Sequence, residues 1–220
     1  MTSEPRARLR GLYAITPESG DTEWLAGRVE ECLAAGAAIV QYRAKRAAPA
    51  LALEQARRLA AACRAHGALF IVNDSPQLAA AAGADGVHLG RDDMPVAQAR
   101  AVLPGAIVGV SCYGDPQRAV AAREAGADYV AIGSVFASRT KPGATGAKLE
   151  DLARAKAVSG LPVAAIGGIE PANASLALDA GADMLAVIAA LFDAPDTGAA
   201  ARAFVRLFEP SARNDPHVRA

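Results

Sequence analysis

Cysteine is scarce in this sequence, with three residues at positions 32, 63 and 112 of 220. An odd number of widely spaced cysteines fits neither a disulfide framework nor a zinc-binding motif. The three histidines show no metal-ligand spacing either. This composition is typical of a protein in a reducing compartment, and we expect the cytoplasm.

Long apolar runs and an excess of either charge are also missing. No run approaches the roughly 20 residues that span a bilayer, and the first residues have no apolar signal core. Lys and Arg total 23, as do Asp and Glu, which disfavours nucleic-acid and membrane-surface partners. We therefore expect small-molecule partners; the sequence leaves a homo-oligomer open.

Eight strand-then-helix units follow one another along the chain. Their apolar runs are continuous rather than alternating, which indicates parallel strands buried on both faces. Eight such units predict a single-domain α/β TIM barrel over residues 11–208, with flexible ends at 1–10 and 209–220. A doubly wound sheet is the alternative. The predicted strands are 12–15, 38–43, 69–72, 86–89, 107–110, 129–132, 162–166 and 184–188.

A Gly-Ala-Asp triplet precedes three of these strands, at residues 83–85, 126–128 and 181–183, and residues 35–37 are a degenerate copy. The glycine fits the left-handed position at a helix C-terminus. We expect the aspartate to orient the turn into the barrel, which is a structural role.

The second strand ends in three strong donors, Gln41, Arg43 and Lys45. Because side chains alternate along a strand, all three are expected on one side. Such a set favours an anion site for a phosphate or diphosphate. A solvated strand end is the alternative interpretation.

Two aspartates follow neighbouring strands, Asp74 after the third and Asp93 after the fourth. Facing a basic cluster, such a pair predicts a Mg²⁺ site, since Mg²⁺ binds one or two carboxylates together with phosphate and water. The alternative is that each aspartate caps the next helix, as Asp74 before Ser75-Pro76 would. Asp92 is expected to cap or to support the site.

Further candidates lie after later strands. Gly167-Gly168 allows backbone N–H groups to approach a phosphate after the seventh strand, where this fold binds phosphate; a tight turn is the alternative. The long loop 134–147 is a candidate lid, or an exposed loop whose lysine is merely solvated. We expect a packing role for His88, since no partner is evident, and expect Cys112 to point away from the site. No Ser-His-Asp set assembles, which disfavours covalent hydrolysis.

These residues give the sequence a resemblance to the thiamine phosphate synthase family, from residue 12 to about residue 191. Six motifs in order carry it: Gln41-x-Arg43-x-Lys45, Asn73-Asp74, His88-Leu89-Gly90-x-x-Asp93, Gly109-Val110-Ser111, Thr140-Lys141-Pro142 and Ala165-Ile166-Gly167-Gly168-Ile169.

The resemblance implies a transferase that joins 4-amino-2-methyl-5-hydroxymethylpyrimidine diphosphate to a thiazole phosphate and releases pyrophosphate. With a carboxythiazole phosphate, CO₂ leaves as well. Asp74 and Asp93 would bind Mg²⁺, and Arg43, Ser111 and Lys141 would be catalytic. Substrate-binding roles are implied for Gln41, Arg43, Lys45, Asn73, Ser111, Ser138, Thr140, Lys141, Gly168, Ile188 and Ala189.

The sequence departs from the family pattern at three positions. Arg91 stands where Gln is frequent, Ala189 where Ser is common, and Ser138 where Thr is frequent. Three alternatives stay open: a thiazole tautomerase paralogue, a non-catalytic phosphate-ligand sensor, and another phosphosugar enzyme such as an epimerase. Retention of Lys45, Asp74, Asp93 and Lys141 argues against the tautomerase, which needs no diphosphate site.

Overall fold

The computed structural model describes residues 8–137 and 146–209. Its strands are β1 (Gly11–Ile15), β2 (Ile39–Tyr42), β3 (Leu69–Asn73), β4 (Gly86–Leu89), β5 (Ile107–Tyr113), β6 (Tyr129–Gly133), β7 (Val163–Ile166) and β8 (Met184–Val187). All pair in parallel with their neighbours in sequence, and β1 pairs with β8, which closes the barrel. The predicted TIM barrel is therefore confirmed over the doubly wound sheet.

Within the described residues, helices surround the barrel. They are α1 (Thr22–Ala34), α2 (Pro49–Ala65), α3 (Pro76–Ala82), α4 (Val96–Val102), α5 (Pro116–Glu124), α6 (Glu150–Ser159), α7 (Ala174–Asp179), α8 (Ala189–Phe192) and α9 (Thr197–Arg206). The sequence does not predict α8, because four residues are too few to show a helical period. β5 continues to Tyr113 instead of ending at residue 110, and its register with β6 shifts between Ser111 and Tyr113.

The strands are buried on both faces, as their continuous apolar runs predict. In β2, Ile39 belongs to the cluster inside the barrel, whereas Val40 and Tyr42 belong to the layer between the barrel and the helices. Cys112 lies in that outer layer and is fully buried, which confirms that it points away from the barrel interior. The interior cluster contains Leu9, Tyr13, Ile15, Ile39, Leu69, Ile71, Ile107, Tyr129, Ala131, Ala164, Met184 and Ala186.

The three aspartates of the Gly-Ala-Asp repeat join strands in pairs at the amino-terminal end of the barrel. Asp85, before β4, accepts a hydrogen bond from the Phe70 N–H of β3 at 2.8 Å and returns one from its own N–H to the Phe70 carbonyl at 2.9 Å. Asp128 forms the same pair of bonds with Val108, and Asp183 with Val163. Their predicted structural role is confirmed.

The first quarter of the barrel lacks this side-chain bond. The equivalent position before β2 is Ala38, whose N–H donates to the Leu12 carbonyl at 3.0 Å. The alanine side chain has no oxygen with which to accept the returning hydrogen bond. β1 and β2 are therefore joined at this point by the backbone alone.

The chain ends of the described part pack on the barrel. Leu9 is 2% exposed inside the barrel, so the ordered unit includes a residue before the expected boundary at 11. Most of the segments expected to be flexible, 1–10 and 209–220, lie outside the described residues. Among the helices of residues 8–137 and 146–209, none has the length and apolar character needed to span a membrane.

Candidate active site

A cavity of about 490 Å³ opens at the carboxyl-terminal ends of the strands. This volume suits a small-molecule ligand, and in this fold the active site is at this end. Seven of the predicted site residues line it: Gln41, Arg43, Asn73, Ser111, Gly168, Ile188 and Ala189.

A chain of hydrogen bonds between five buried or half-buried side chains forms the floor of this cavity. Gln41 donates through Nε2 to Tyr13 Oη at 2.6 Å, and the hydroxyls of Tyr13 and Tyr129 are 2.7 Å apart. Tyr129 Oη lies 2.9 Å from His88 Nδ1, and His88 Nε2 lies 2.8 Å from Ser111 Oγ. The chain crosses the barrel from β2 to β5.

His88 has two hydrogen-bond partners, so the expectation that none exists is wrong. Burial is the main influence on its ring and lowers its pKa to about 4, against a smaller opposing effect of Asp74. His88 is therefore neutral at pH 7, with one donor and one acceptor nitrogen. Tyr129 and Ser111 contact opposite nitrogens of the His88 ring, one of which donates and the other accepts, according to the tautomer. Ser111 lines the cavity at the end of this chain, where its hydroxyl group can form a hydrogen bond with a ligand.

Gly109 makes room for Tyr129 in this floor. A Cβ atom at residue 109 would lie 2.0 Å from the Tyr129 ring, far inside van der Waals contact. Glycine therefore lets the ring cross the barrel and place its hydroxyl between Tyr13 and His88. Its place in the Gly109-Val110-Ser111 motif has this physical reason.

Contacts from the segment after β1 hold the cationic segment after β2. Thr16 Oγ1 accepts a hydrogen bond from the Arg43 N–H at 3.0 Å. Glu18 accepts from the Arg46 N–H and, through its other oxygen, from Arg46 Nε at 3.0 Å. These contacts place the Arg43 side chain at the cavity rim before any ligand arrives.

Lys45 lies beside the acidic residues rather than on the cavity wall. β2 ends at Tyr42, so strand alternation does not continue to residue 45. Lys45 Nζ forms an ion pair with Asp74 Oδ2 at 2.8 Å. The three donors after Val40 therefore do not share one direction, although they lie at the same end of the barrel.

Asp74 does not cap the next helix, because Ser75 does. The Ser75 side chain accepts from the Leu78 N–H at 3.1 Å at the start of α3. Asp74 instead has a φ angle of 65°, in the left-handed region that non-glycine residues rarely adopt. Its backbone N–H donates to the His88 carbonyl at 2.8 Å, which fixes it beside β4.

Asp93 adds a second carboxylate at the same place. Its Oδ2 accepts from the Gly90 N–H at 2.6 Å. Burial, together with the neighbouring Asp74 carboxyl, raises the pKa of Asp93 above its usual value. Two adjacent carboxylates that each disfavour the other's charge are suited to bind a cation between them.

This donor set fits Mg²⁺ held jointly by protein and substrate. Within residues 8–137 and 146–209, no group of three His, Cys, Asp or Glu side chains could hold a metal alone. Mg²⁺ typically takes only one or two carboxylates, with phosphate and water as its other ligands. Asp74 and Asp93 would hold the ion, and a phosphate group in the cavity would complete its coordination.

Backbone from two loops forms the other side of the cavity. Gly167 and Gly168 have φ angles of 102° and 61°, and a Cβ atom at Gly168 would lie 2.2 Å from the Ala137 carbonyl oxygen. Asn173 donates to the Gly168 carbonyl at 2.9 Å and fixes this turn. Ile188 and Ala189, where β8 leads into α8, line the same side.

Three predicted residues, Ser138, Thr140 and Lys141, lie outside the described residues. Tyr13 and Tyr129 are not among the site residues predicted from the sequence, and His88 is predicted only to pack. All three lie at inward positions of predicted strands, so strand alternation could have identified them.

Comparisons with known proteins identify the family of this chain. A family model described as thiamine monophosphate synthase matches residues 12–191. A thiamine-phosphate synthase from Aromatoleum aromaticum is 53% identical over 206 residues, which are 93% of this chain and 99% of that protein. The chain belongs to the thiamine monophosphate synthase family. The predicted family and the predicted enzyme class, a transferase, are thereby confirmed.

Other members of the thiamine monophosphate synthase family show the same extent of similarity. A thiamine-phosphate synthase from Thiobacillus denitrificans is 55% identical over 199 residues, or 90% of this chain and 94% of that protein. A solved structure of a thiamine phosphate pyrophosphorylase from Pyrococcus furiosus superposes with a TM-score of 0.84 at 36% identity. The matched region covers 93% of this chain and 97% of the Pyrococcus furiosus chain.

Proposed function

We propose that this chain is a thiamine phosphate synthase. It transfers 4-amino-2-methyl-5-hydroxymethylpyrimidine from its diphosphate to a thiazole phosphate or carboxythiazole phosphate, with Mg²⁺. The observation that carries the proposal is the polarity of the cavity. Its floor is a neutral hydrogen-bond chain and Arg43 lines its wall, whereas the Lys45–Asp74 ion pair and Asp93 follow neighbouring strands at the same end of the barrel.

The floor suits an aminopyrimidine ring. Ser111 offers a hydroxyl group that can donate or accept, and the Gln41 amide offers both a donor and an acceptor group. An aminopyrimidine carries ring nitrogens that accept and an amino group that donates, so it can satisfy both ends of this chain. Because the donors are fixed before binding, little ordering is needed when the ring enters.

The rim suits the diphosphate. Arg43 can bind phosphate oxygens in bidentate fashion, and Lys45 adds a point charge beside Asp74. Mg²⁺ held by Asp74 and Asp93 would neutralise charge that builds up on the leaving pyrophosphate. Asn73, at the end of β3, would add a neutral contact to the same substrate.

The opposite side of the cavity would hold the thiazole phosphate. We assign its phosphate to the backbone at Gly168, Ile188 and Ala189, with the side chains of Ser138 and Thr140. Lys141 would face the diphosphate as a further cation. Alanine at position 189 can still supply its backbone N–H group.

The coupling reaction requires stabilisation of the charge on the leaving pyrophosphate and on the carbon cation, more than it requires a general base. The bond between the exocyclic carbon and the diphosphate oxygen breaks, and its electron pair leaves with pyrophosphate. The ring amino group stabilises the carbon cation, which the thiazole nitrogen then attacks. Neutral His88, hydrogen-bonded on both nitrogens, orients Ser111 rather than removing a proton. Arg43 and the other cations act on the leaving group by electrostatic stabilisation.

The decisive experiment mixes the purified protein with both substrates and Mg²⁺ and measures pyrophosphate and thiamine phosphate. We expect equal amounts of both products, and no reaction after chelation of the metal. Tight thiazole phosphate binding without pyrophosphate release would instead favour the tautomerase or a phosphate-ligand sensor. Comparison of the two thiazole substrates under the same conditions shows whether CO₂ release accompanies coupling.

We also propose that the enzyme works in the cytoplasm with small molecules as its partners. Its cysteines are buried and unpaired, as in proteins of reducing compartments. Gel filtration with light scattering tests whether it is a homo-oligomer.

A further inference from the structure

We propose that Arg91, held against the ring of Tyr113, is a substrate-binding residue that selects a diphosphate over a monophosphate. This inference rests on the proposed function. It concerns a position at which the sequence departs from the family pattern, and it gives that departure a chemical role.

Arg91 lies where a further phosphate contact is useful. It follows β4, two residues before Asp93, and it lines the cavity together with Arg43 and Ser111. Its side chain is exposed, so it can reach a charged group at the cavity mouth. The guanidinium group stays hydrated until the ligand binds. The floor, by contrast, is formed by buried and half-buried side chains.

The Tyr113 ring orients this side chain. The Arg91 guanidinium carbon lies over the ring, 4.7 Å from its centroid, and the Arg91 backbone N–H donates to Tyr113 Oη at 3.3 Å. A guanidinium group that stacks on a ring keeps its N–H donors along its edge, where they can grip a phosphate. The entropy cost of ordering a long side chain is thus partly met before the ligand binds.

Tyr113 has an unusual backbone conformation and two guanidinium groups near its ring. It has a φ angle of 57°, at the point where the register of β5 shifts. A second guanidinium, from Arg118, lies 5.5 Å from the centroid of the same ring. The Arg118 Nε is buried and has no hydrogen-bond partner within the described residues. A non-glycine residue in this conformation is typical of a functional position.

The charge of Arg91 is not neutralised by the protein. Within residues 8–137 and 146–209, no carboxylate forms an ion pair with its guanidinium, whereas Lys45 pairs with Asp74 and Arg46 with Glu18. Arg91 therefore adds a positive charge without an ion-pair partner to the lining of the cavity, and this charge attracts anions. A monophosphate would be held by Arg43 and the metal, whereas the second phosphate of a diphosphate would also reach Arg91.

The test compares Arg91→Gln, Arg91→Lys and Tyr113→Leu with the control Arg154→Gln, which removes a cation that is 71% exposed on α6. Calorimetry measures the binding of inorganic pyrophosphate with Mg²⁺, and steady-state kinetics gives KM for each substrate. For Arg91→Gln we expect about 10-fold weaker pyrophosphate binding and a similar rise in KM for the diphosphate. The thiazole phosphate KM and the melting temperature should stay at wild-type values.

The other two variants separate the effect of the Arg91 charge from the effect of its orientation by the Tyr113 ring. Arg91→Lys should recover part of the affinity, because it keeps the charge and loses the stack. Tyr113→Leu should weaken binding by a few-fold, and less than additively when combined with Arg91→Gln, because one contact depends on the other. Equal binding in Arg91→Gln and Arg154→Gln would overturn the inference. A wild-type protein without turnover would refute the proposed function instead.

Discussion

The two ends of the barrel use the same residue type in opposite ways. At the amino-terminal end, Asp85, Asp128 and Asp183 are separated from one another, and each accepts a backbone N–H from a neighbouring strand. At the carboxyl-terminal end, Asp74 and Asp93 lie together, and burial with the neighbouring carboxyl raises the pKa of Asp93. The first group is satisfied by the fold, whereas the second is incomplete without a ligand.

This difference separates stability from function along the barrel axis. Removal of a satisfied carboxylate leaves a strand N–H without its partner and weakens the fold. Removal of one member of the crowded pair weakens cation binding, and the relief of repulsion offsets the single contact that is lost, with Lys45 for Asp74 or with the Gly90 N–H for Asp93. Paired substitutions, one at each end of the barrel, therefore test this difference.

The largest effect on activity is expected from Asp93→Ala. We expect it to lower kcat at least about 100-fold, because the Mg²⁺ site loses half of its carboxylates. The melting temperature without metal should change little, because the relief of repulsion with Asp74 offsets the lost hydrogen bond from the Gly90 N–H. The matched variant Asp128→Ala should lose about 1–3 kcal/mol of stability and keep kcat per folded molecule. Chemical denaturation and turnover measurements on both variants check this. A loss of stability in Asp93→Ala together with a loss of kcat in Asp128→Ala would contradict this separation of stability from function.

A large loss of both stability and activity is expected from Gly109→Ala, midway along the barrel. The new methyl group would overlap the Tyr129 ring, and overpacking of this kind costs about 1–3 kcal/mol. The displaced tyrosine should also raise the KM for the pyrimidine substrate. Gly27→Ala in α1 is the control, since its Cβ meets nothing within 4 Å. It should be neutral or slightly stabilising. Unchanged kinetics in Gly109→Ala would show that the floor tolerates movement.

A pH-dependent effect is expected from His88. Burial lowers its pKa in the folded state from the ordinary 6.5 to about 4, so the unfolded chain binds more protons between these pH values. Stability from neutral His88 is therefore full above pH 6.5 and is lost as the pH falls towards 4. Between pH 7 and pH 5 the wild type should lose about 2 kcal/mol that His88→Gln does not lose. Urea denaturation at both pH values measures this. An identical slope in the two proteins would mean that His88 is charged in the folded state.

The smallest effect is expected from Glu18→Gln. It weakens the contact that holds Arg46 and hence the segment carrying Arg43, so the KM for the diphosphate should rise a few-fold with little change in kcat. Glu23→Gln removes an equal charge from the outer surface, where Glu23 pairs with Arg58, and should leave both constants unchanged. Equal kinetics in the two variants would show that the segment after β2 needs no support from the segment after β1.

The sequence predicts the barrel and the general position of the site because both follow from local patterns. Apolar runs, helix-ending glycines and polar residues after strands can each be read within a few positions. The floor cannot be read in this way, because its partners come from distant strands. Tyr13 and Tyr129 are 116 residues apart, and His88 and Ser111 are 23 apart.

The errors at the rim have a similar origin. Strand alternation predicts one direction for Gln41 and Lys45, but the strand ends between them. The alternative in which Asp74 caps the next helix also fails, since Ser75 caps α3 and Asp74 has a left-handed conformation. In both cases the rule is sound within a regular element and fails at its last residue. The ends of the elements are where this site is built.

The alanine at position 38 has a consequence for how the barrel opens. Three quarters of the barrel join their strand pairs with an aspartate bridge, whereas the quarter formed by β1 and β2 does not. Among the four strand pairs β1–β2, β3–β4, β5–β6 and β7–β8, the first is therefore the one that has no aspartate side-chain hydrogen bond at this end. Fluctuations that separate neighbouring strands should begin there, so that the amides of β1 exchange with solvent before those of β3, β5 and β7. Gln41 lies on β2 and Arg43 directly follows it, so opening of the β1–β2 pair would move the two residues that we propose bind the diphosphate.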